Sequence, residues 1–191
     1  ADARSVADAD VIFVNGLGFE TWSETLIAKS GTKGSVHIAT ENITSILIDG
    51  EVDPHAWNSL RNGIVYVTNI AEVLKQKMHK HAEAISENTA SYVEQLIALD
   101  VEAKASLAEL ASDKRTVVTA NDAFGYLADA YGMNFLAPVG KDPEAEPSAK
   151  SLAKLIGKIK ADGAAALFVE NITSPAFVQQ ISDETGLEIG G

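Results

Sequence analysis

The sequence contains no cysteine. Neither a disulfide framework nor a thiolate metal site can therefore form. Long apolar runs are missing as well, because the longest, such as residues 164–169, fall far short of the roughly 18 consecutive apolar residues that span a bilayer. With 46% hydrophobic and 22% charged residues, the 191-residue chain has the composition of a globular protein with a sizeable core.

Basic residues are also scarce. The chain has 15 Lys and Arg against 27 Asp and Glu, which gives a formal net charge of -12 and a pI near 4.7. A nucleic-acid partner is not expected, because phosphate backbones are bound by clustered Lys and Arg. The basic cluster at residues 75–81 is interpreted as a solvated helix end whose positive charges complement the helix dipole.

Strands and helices alternate along the chain. Strands are predicted at 10–14, 35–39, 116–119, 135–137, 164–169 and 187–189, helices at 1–7, 21–29, 53–78, 122–131, 148–160 and 174–185, and an irregular stretch at 40–52. The helix from residue 53 carries an apolar stripe that runs from Trp57 to Met78. Because each strand is apolar throughout, we expect an α/β protein with parallel sheets that helices cover on both faces.

One further helix is predicted to be unusually long. Residues 83–112 contain neither glycine nor proline, and apolar or small residues recur there at steps of three or four. Such a helix extends about 45 Å, which exceeds the width of a small lobe. We therefore predict an N-terminal α/β lobe at 1–82, a long rigid linker helix at 83–112 and a C-terminal α/β lobe at 113–191.

The strongest candidate for a functional residue is His55. Asp53 can cap the free N–H groups of a helix that starts here, and Pro54 suits the first helical position, where its missing donor costs nothing. His55 then lies in the first turn, where the positive end of the helix dipole disfavours imidazolium and leaves a neutral ring that can bind a cation. The alternative is an exposed first-turn histidine with no ligand role.

A glycine-containing turn follows the first strand. Gly16 and Gly18 lie between a strand and a helix, as glycines do in dinucleotide-binding proteins. A third glycine is lacking, however, and Phe19 and Glu20 would confront the pyrophosphate. We interpret the glycines as a tight backbone turn. The sequence also contains no Walker-type motif and no nucleophile elbow, so no catalytic activity is assigned.

Asn121 lies in a second strand-to-helix turn, at the carboxyl end of a strand, where open parallel sheets place ligands. Its simpler role is that of a helix N-cap. The other histidines carry less weight. His37 is interpreted as a packed or hydrogen-bonded strand residue, and His79 and His81, two apart on a presumed helix, point to different faces.

These stretches together resemble the cluster A-I (cluster 9) metal-binding proteins of bacterial ABC importers, the zinc and manganese receptors of the ZnuA, TroA and PsaA type. The matching stretches are residues 1–20, 53–57, 83–112, 122–126, 147–150, 168–170 and 184–186. The resemblance covers essentially the whole chain. It implies two α/β lobes joined by a rigid helix, with one divalent cation held by four ligands in the cleft between the lobes.

By this resemblance, His55 matches the second metal ligand. Asn121 lies at the position of the third, where zinc receptors have His and manganese receptors Glu. The first ligand would precede Ala1 and the fourth would follow Gly191, so the chain is expected to be trimmed at both ends. An amide oxygen is a neutral donor that suits harder cations better than zinc. Either the affinity is reduced, or a water or another side chain completes the site.

The resemblance further implies a monomeric solute-binding protein, periplasmic or lipid-anchored at the outer face of the cytoplasmic membrane. It would capture Zn²⁺, or alternatively Mn²⁺, and deliver it to the membrane permease of an ABC importer. Release would involve small lobe tilts or loop movement, because an unbroken helix resists wide hinge closure. Two alternatives remain: a surface adhesin on the same scaffold with a degenerate metal site, and a doubly wound enzyme that uses the Gly16–Gly18 turn.

Overall fold

The computed structural model describes residues 2–48, 50–138, 148–169 and 175–190. The chain divides into two compact units, Ala1–Val101 and Glu102–Gly191. Each unit contains parallel strands and helices, so the predicted α/β class is confirmed. Ala1, Pro147 and Glu170, which belong to the stretches that carry the resemblance, lie outside the described residues. Within the described part of the chain, every helix is too short or too polar to cross a membrane.

The first unit is built around a parallel pair of strands. Its elements are α1 (Asp2–Asp8), β1 (Val11–Val14), α2 (Thr21–Ser30), β2 (Ser35–Ile38), β3 (Leu47–Ile48), β4 (Glu51–Val52), a 3₁₀ turn (Ala56–Asn58), α3 (Leu60–Lys77), a second 3₁₀ turn (His79–His81) and most of α4 (Ala82–Ala108). β1 pairs with β2, and β3 forms a hairpin with β4. The sequence predicted irregular structure at this hairpin, because two-residue strands are too short to show an alternation.

The strand β2 departs from the prediction that both faces of each sheet are covered. Val36 is 45% exposed and Ile38 is 51% exposed, whereas Ser35 and His37 on the other face are partly buried. His37 is hydrogen-bonded as predicted, since its Nε2 lies 2.9 Å from Ser35 Oγ. Among the described residues, one face of β2 is therefore open.

The turn after β1 requires glycine at one position in particular. Gly16, Leu17 and Gly18 have positive φ angles of 83°, 56° and 78°. A Cβ added to Gly16 would lie 2.6 Å from Ile38 Cγ2 and 2.9 Å from Thr40 Oγ1, whereas one added to Gly18 would meet nothing within 4 Å. Gly16 is thus needed for both conformation and space, and Gly18 for conformation alone.

The same turn argues against dinucleotide binding. The Glu20 carboxylate accepts hydrogen bonds from the backbone N–H groups of Asn15 and Gly16, the latter at 3.2 Å. Backbone N–H groups in such a turn are the donors that bind a phosphate in nucleotide-binding folds. Here a side chain of the same protein already occupies them, which supports the interpretation of a structural turn.

The helix α4 has 27 residues and is the long helix predicted from the sequence, with slightly different ends. The first unit ends within it, at Val101. Beyond its last turn, Arg115 donates from Nε to Leu110 O and from Nη2 to Ala108 O, both at 3.1 Å. The bond to Ala108 O satisfies a carbonyl that the C-terminus of α4 leaves without a helical partner. The lobe boundaries predicted from the sequence remain a proposal.

The second unit is a four-stranded parallel sheet in the order β6-β5-β7-β8. Its elements after α4 are a 3₁₀ turn (Ser112–Lys114), β5 (Thr116–Val118), α5 (Gly125–Tyr131), β6 (Asn134–Leu136), α6 (Ala149–Asp162), β7 (Ala166–Phe168), α7 (Pro175–Thr185) and β8 (Ile189–Gly190). Its core consists of Val118, Leu136, Leu152, Leu155, Ile156, Ile159, Leu167, Val178 and Ile181. This sheet holds β5, from whose carboxyl end Asn121 follows.

A comparison of alanine substitutions tests the glycine turn. Gly16→Ala and Gly18→Ala both place a side chain at positive φ, which costs about 1–2 kcal/mol, but only Gly16→Ala also adds a steric clash. Overpacking costs about 1–3 kcal/mol, so we expect Gly16→Ala to lower the free energy of unfolding by about that much more than Gly18→Ala. Urea unfolding of the two variants measures the difference, and equal losses would contradict the close approach of Ile38 and Thr40 to Gly16.

Candidate metal site

His55 does not lie in the first turn of an α-helix. It precedes the 3₁₀ turn Ala56–Asn58, and α3 begins only at Leu60, after Ser59 in an extended conformation (φ -110°, ψ 126°). The predicted continuous helix from residue 53 is therefore wrong in its first turns. Asp53 does accept from the N–H two residues on, as a capping Asp can, but the extended backbone of Ser59 separates the 3₁₀ turn that follows from α3. Because His55 is not in the first turn of an α-helix, the argument that a helix dipole keeps its imidazole neutral fails as well.

What holds His55 instead is the carboxylate of Asp53. Asp53 Oδ1 accepts from the backbone N–H of His55 at 3.0 Å and lies 2.8 Å from its ring atom Nδ1. Asp53 is fully buried, and His55 is only 4% exposed. The alternative of an exposed histidine is thus wrong as well. The structure gives a buried carboxylate–imidazole pair with defined geometry.

Two aromatic rings cover His55. Phe19 and Trp57 both meet the imidazole edge-on, with centroids at 6.0 Å and 5.2 Å, and their own centroids are 4.9 Å apart. Phe19 is 47% exposed and Trp57 is 43% exposed. They therefore form an outer wall over the histidine. Trp57 was predicted to begin an apolar stripe ending at Met78, but both of these residues are substantially exposed.

Hydrogen bonds from β1 and α3 fix the loop on both sides of His55. Asn15, directly after β1, donates from Nδ2 to Pro54 O at 3.1 Å, and its Oδ1 accepts from the Tyr66 hydroxyl. On the other side, Asn62 Nδ2 donates to Ala56 O at 3.0 Å. Sequence analysis did not assign these roles to Asn15 and Tyr66, because they depend on contacts between residues far apart in the chain.

Asn121 is buried at 6% exposure and follows β5 in the second unit. Its backbone carbonyl accepts from Thr119 Oγ1 at 3.1 Å. The predicted N-cap role is wrong, because α5 begins at Gly125 and Phe124 occupies the N-cap position. The chain continues in non-helical conformation through residues 122–124 before the helix starts. Asn121 is therefore a buried amide at the carboxyl end of a parallel strand.

The described residues contain no cluster of three or more His, Cys, Asp or Glu side chains that could hold a metal ion. Within its own unit, His55 offers one imidazole nitrogen, backed by one carboxylate. Tight binding of a transition metal usually requires three or four donors. His55 can thus supply one donor of a larger set.

Relatives of known type match the chain along its length. A family model described as zinc-uptake complex component A, periplasmic, matches residues 1–191. The iron ABC transporter substrate-binding lipoprotein MtsA of Streptococcus pyogenes serotype M1 is 33% identical over 98% of this chain and 64% of its own length. The manganese ABC transporter substrate-binding lipoprotein PsaA of Streptococcus pneumoniae is 30% identical with the same coverage. The chain thus spans 64% of the length of these curated relatives.

Solved structures agree with these matches. The periplasmic zinc-binding protein TroA from Treponema pallidum aligns with a TM-score of 0.92 and 27% identity, over 100% of this chain and 72% of that one. A manganese-bound periplasmic metal-binding protein from Candidatus Liberibacter asiaticus aligns with a TM-score of 0.87 and 26% identity, over 100% of this chain and 71% of that one. The chain belongs to the ZnuA family of periplasmic zinc-uptake components, as its motifs indicated.

Proposed function

We propose that this chain is the metal-capturing part of an extracytoplasmic solute-binding protein of an ABC importer. It would lie in the periplasm or be lipid-anchored at the outer face of the cytoplasmic membrane, and would deliver a divalent transition metal to a membrane permease. The observation that carries this proposal is the buried Asp53–His55 pair in a chain of the ZnuA family. The names of its relatives, which include metal ABC transporter substrate-binding lipoproteins, support it.

His55 is proposed as a metal ligand. Metal-binding histidines almost always donate their second ring N–H to a carboxylate or carbonyl, and Asp53 Oδ1 stands 2.8 Å from Nδ1. A buried histidine that only stabilises the fold could have the same partner. The two interpretations differ in one measurable respect, because only a ligand changes metal affinity without an equal change in stability.

Asn121 is proposed to lie at the third ligand position, which the resemblance supports and the burial of Asn121 after β5 permits. An amide oxygen is a weaker donor for zinc than imidazole is. Zn²⁺ is the favoured metal because imidazole suits it, and Mn²⁺ is the alternative. The relatives themselves are named for zinc, manganese or iron.

The alternative of a surface adhesin on the same scaffold gains no support from any described contact. Val36 and Ile38 on β2 are exposed apolar side chains, but nothing among the described residues shows which partner would bind them. Transport therefore remains the function that the site supports best.

Removal of the proposed imidazole ligand provides the main test. We expect His55→Ala to weaken Zn²⁺ and Mn²⁺ binding by more than about 100-fold, because losing only an outer partner of a ligand typically costs about 10–100-fold. Isothermal titration of this chain with each metal measures the effect. His37→Ala is the matched control, because it also removes a hydrogen-bonded histidine of the first unit, but one in β2 that is not proposed as a ligand. Similar affinities for both variants would refute the role of His55.

A second substitution tests the position of Asn121. We expect Asn121→His to raise the affinity for Zn²⁺ at least about tenfold, since imidazole is a better donor for zinc than an amide oxygen is. The gain in affinity for Mn²⁺ is expected to be smaller. Asn134→His, on an exposed position of β6, controls for adding a histidine to the same unit. If both variants bind zinc equally, residue 121 is not at the metal.

A further inference from the structure

We infer that Asn15 is a positioning residue for the proposed metal site. It acts on the peptide carbonyl that precedes His55, and so keeps the His55 loop (residues 53–59) ordered before a metal binds. The inference rests on the proposed function, because it concerns how the same histidine is presented. It gives Asn15 a role that neither the family match nor the sequence motifs assign to it.

The side chain of Asn15 joins three segments that lie far apart in the chain. It follows directly after β1, and its Nδ2 donates to Pro54 O at 3.1 Å and to Gly16 O at 2.9 Å. Its Oδ1 accepts from the Tyr66 hydroxyl of α3. A carboxylate of the same size could accept from Tyr66 but could not donate to Pro54 O. The connection from β1 to the His55 loop therefore requires an amide.

The backbone of Asn15 is itself held in place. Its N–H donates to the Glu20 carboxylate, and its carbonyl accepts from the backbone N–H of Thr40 at 3.3 Å and from the Thr40 hydroxyl at 2.5 Å. Thr40 is buried, with only 4% of its surface exposed. Because both main-chain groups are bonded, the Asn15 amide extends from a fixed point. It can thus act as an anchor for the loop that it reaches.

The bond to Pro54 O controls the backbone at His55. The proline ring already fixes φ of Pro54, so the main freedom left before His55 is rotation of the peptide plane that joins the two residues. That plane includes Pro54 O and the His55 N–H. Asn15 holds the oxygen, and Asp53 Oδ1 accepts from the N–H at 3.0 Å. The peptide plane is therefore held at both of its polar atoms.

A loop that is ordered before binding gives tighter binding than one that the ligand must order. Loss of the Asn15 amide would leave Pro54 O without this donor and would let the peptide plane before His55 rotate. The metal would then have to restore its orientation. We therefore expect Asn15 to raise metal affinity through the loop.

Asn69 provides a matched control within the same unit. Its Nδ2 also donates to two backbone carbonyls, Ala39 O and Glu41 O, both at 2.9 Å. These carbonyls belong to the segment after β2 and not to the His55 loop. Asn15→Ala and Asn69→Ala therefore each remove two donations to backbone carbonyls, but only Asn15→Ala releases the loop that carries His55.

The first experiment uses the metal-free chain and measures hydrogen exchange of single amides by NMR. The His55 N–H donates to Asp53 Oδ1, and the Asn58 N–H donates to His55 O at 3.2 Å, so both report on the loop. We expect Asn15→Ala to speed their exchange by about 3–10-fold, as a lost hydrogen bond would, and Asn69→Ala to leave it unchanged. Unchanged rates in Asn15→Ala, or equal increases in both variants, would overturn the inference.

The second experiment compares metal affinity with stability. In isothermal titrations with Zn²⁺, we expect Asn15→Ala to bind about tenfold more weakly and Asn69→Ala to stay within about threefold of wild type, since outer partners of a metal ligand typically contribute about 10–100-fold. Urea unfolding of both variants gives their losses of stability. A residue that only stabilises the fold would lower affinity in proportion to stability in both variants.

The outcomes separate this inference from the proposed function. If His55→Ala loses affinity while Asn15→Ala binds as wild type does, or no more weakly than Asn69→Ala, the metal role of His55 stands and the positioning role of Asn15 is wrong. If His55→Ala binds as wild type does, the proposed function fails, and the inference fails with it.

A milder variant keeps the test decisive if Asn15→Ala does not fold. Tyr66→Phe leaves the Asn15 side chain in place and removes only the hydroxyl that donates to its Oδ1. We expect faster exchange at His55 and weaker Zn²⁺ binding, both smaller in size than for Asn15→Ala. Wild-type values for both measurements would overturn the inference.

Discussion

The contact between the Asp53 carboxylate and His55 is the interaction on which the rest of the site depends. Asp53 is fully buried, accepts from the His55 N–H and contacts the His55 ring. The chain then makes a 3₁₀ turn, passes through the extended Ser59 and begins α3 at Leu60. His55 therefore lies outside the regular α-helix. The polar pair fixes the position of the proposed ligand in this loop.

The surrounding fold keeps this pair in place. The turn at the carboxyl end of β1 supplies Asn15, which bonds to the Pro54 carbonyl, and Phe19, which covers the imidazole. The turn requires Gly16, where no side chain fits. It also requires the Glu20 carboxylate, which accepts hydrogen bonds from the backbone N–H groups of the turn. The glycine sequence that suggested a nucleotide site therefore serves to build the wall around a histidine.

The second unit offers a different kind of group. Asn121 is a buried neutral amide at the end of a strand in a fully parallel sheet, a common location for ligands in open α/β sheets. Imidazole and amide oxygen differ in their preference among metals, since the first suits zinc and the second suits harder cations. The relatives of this chain are themselves named for zinc, manganese or iron.

Much of this protein followed from the sequence alone. Alternating apolar strands and helices predicted the α/β class, the lack of glycine and proline after residue 82 predicted α4, and the residues around His55 indicated the family. These signals are local, because they depend on periodicity and turn chemistry over a few residues. The tertiary structure decided the rest: that His55 is buried against Asp53, that Phe19 and Trp57 cover it, and that Asn121 does not cap a helix. The physical reason is that burial and aromatic packing arise from residues distant in the chain, whose contacts no local pattern records.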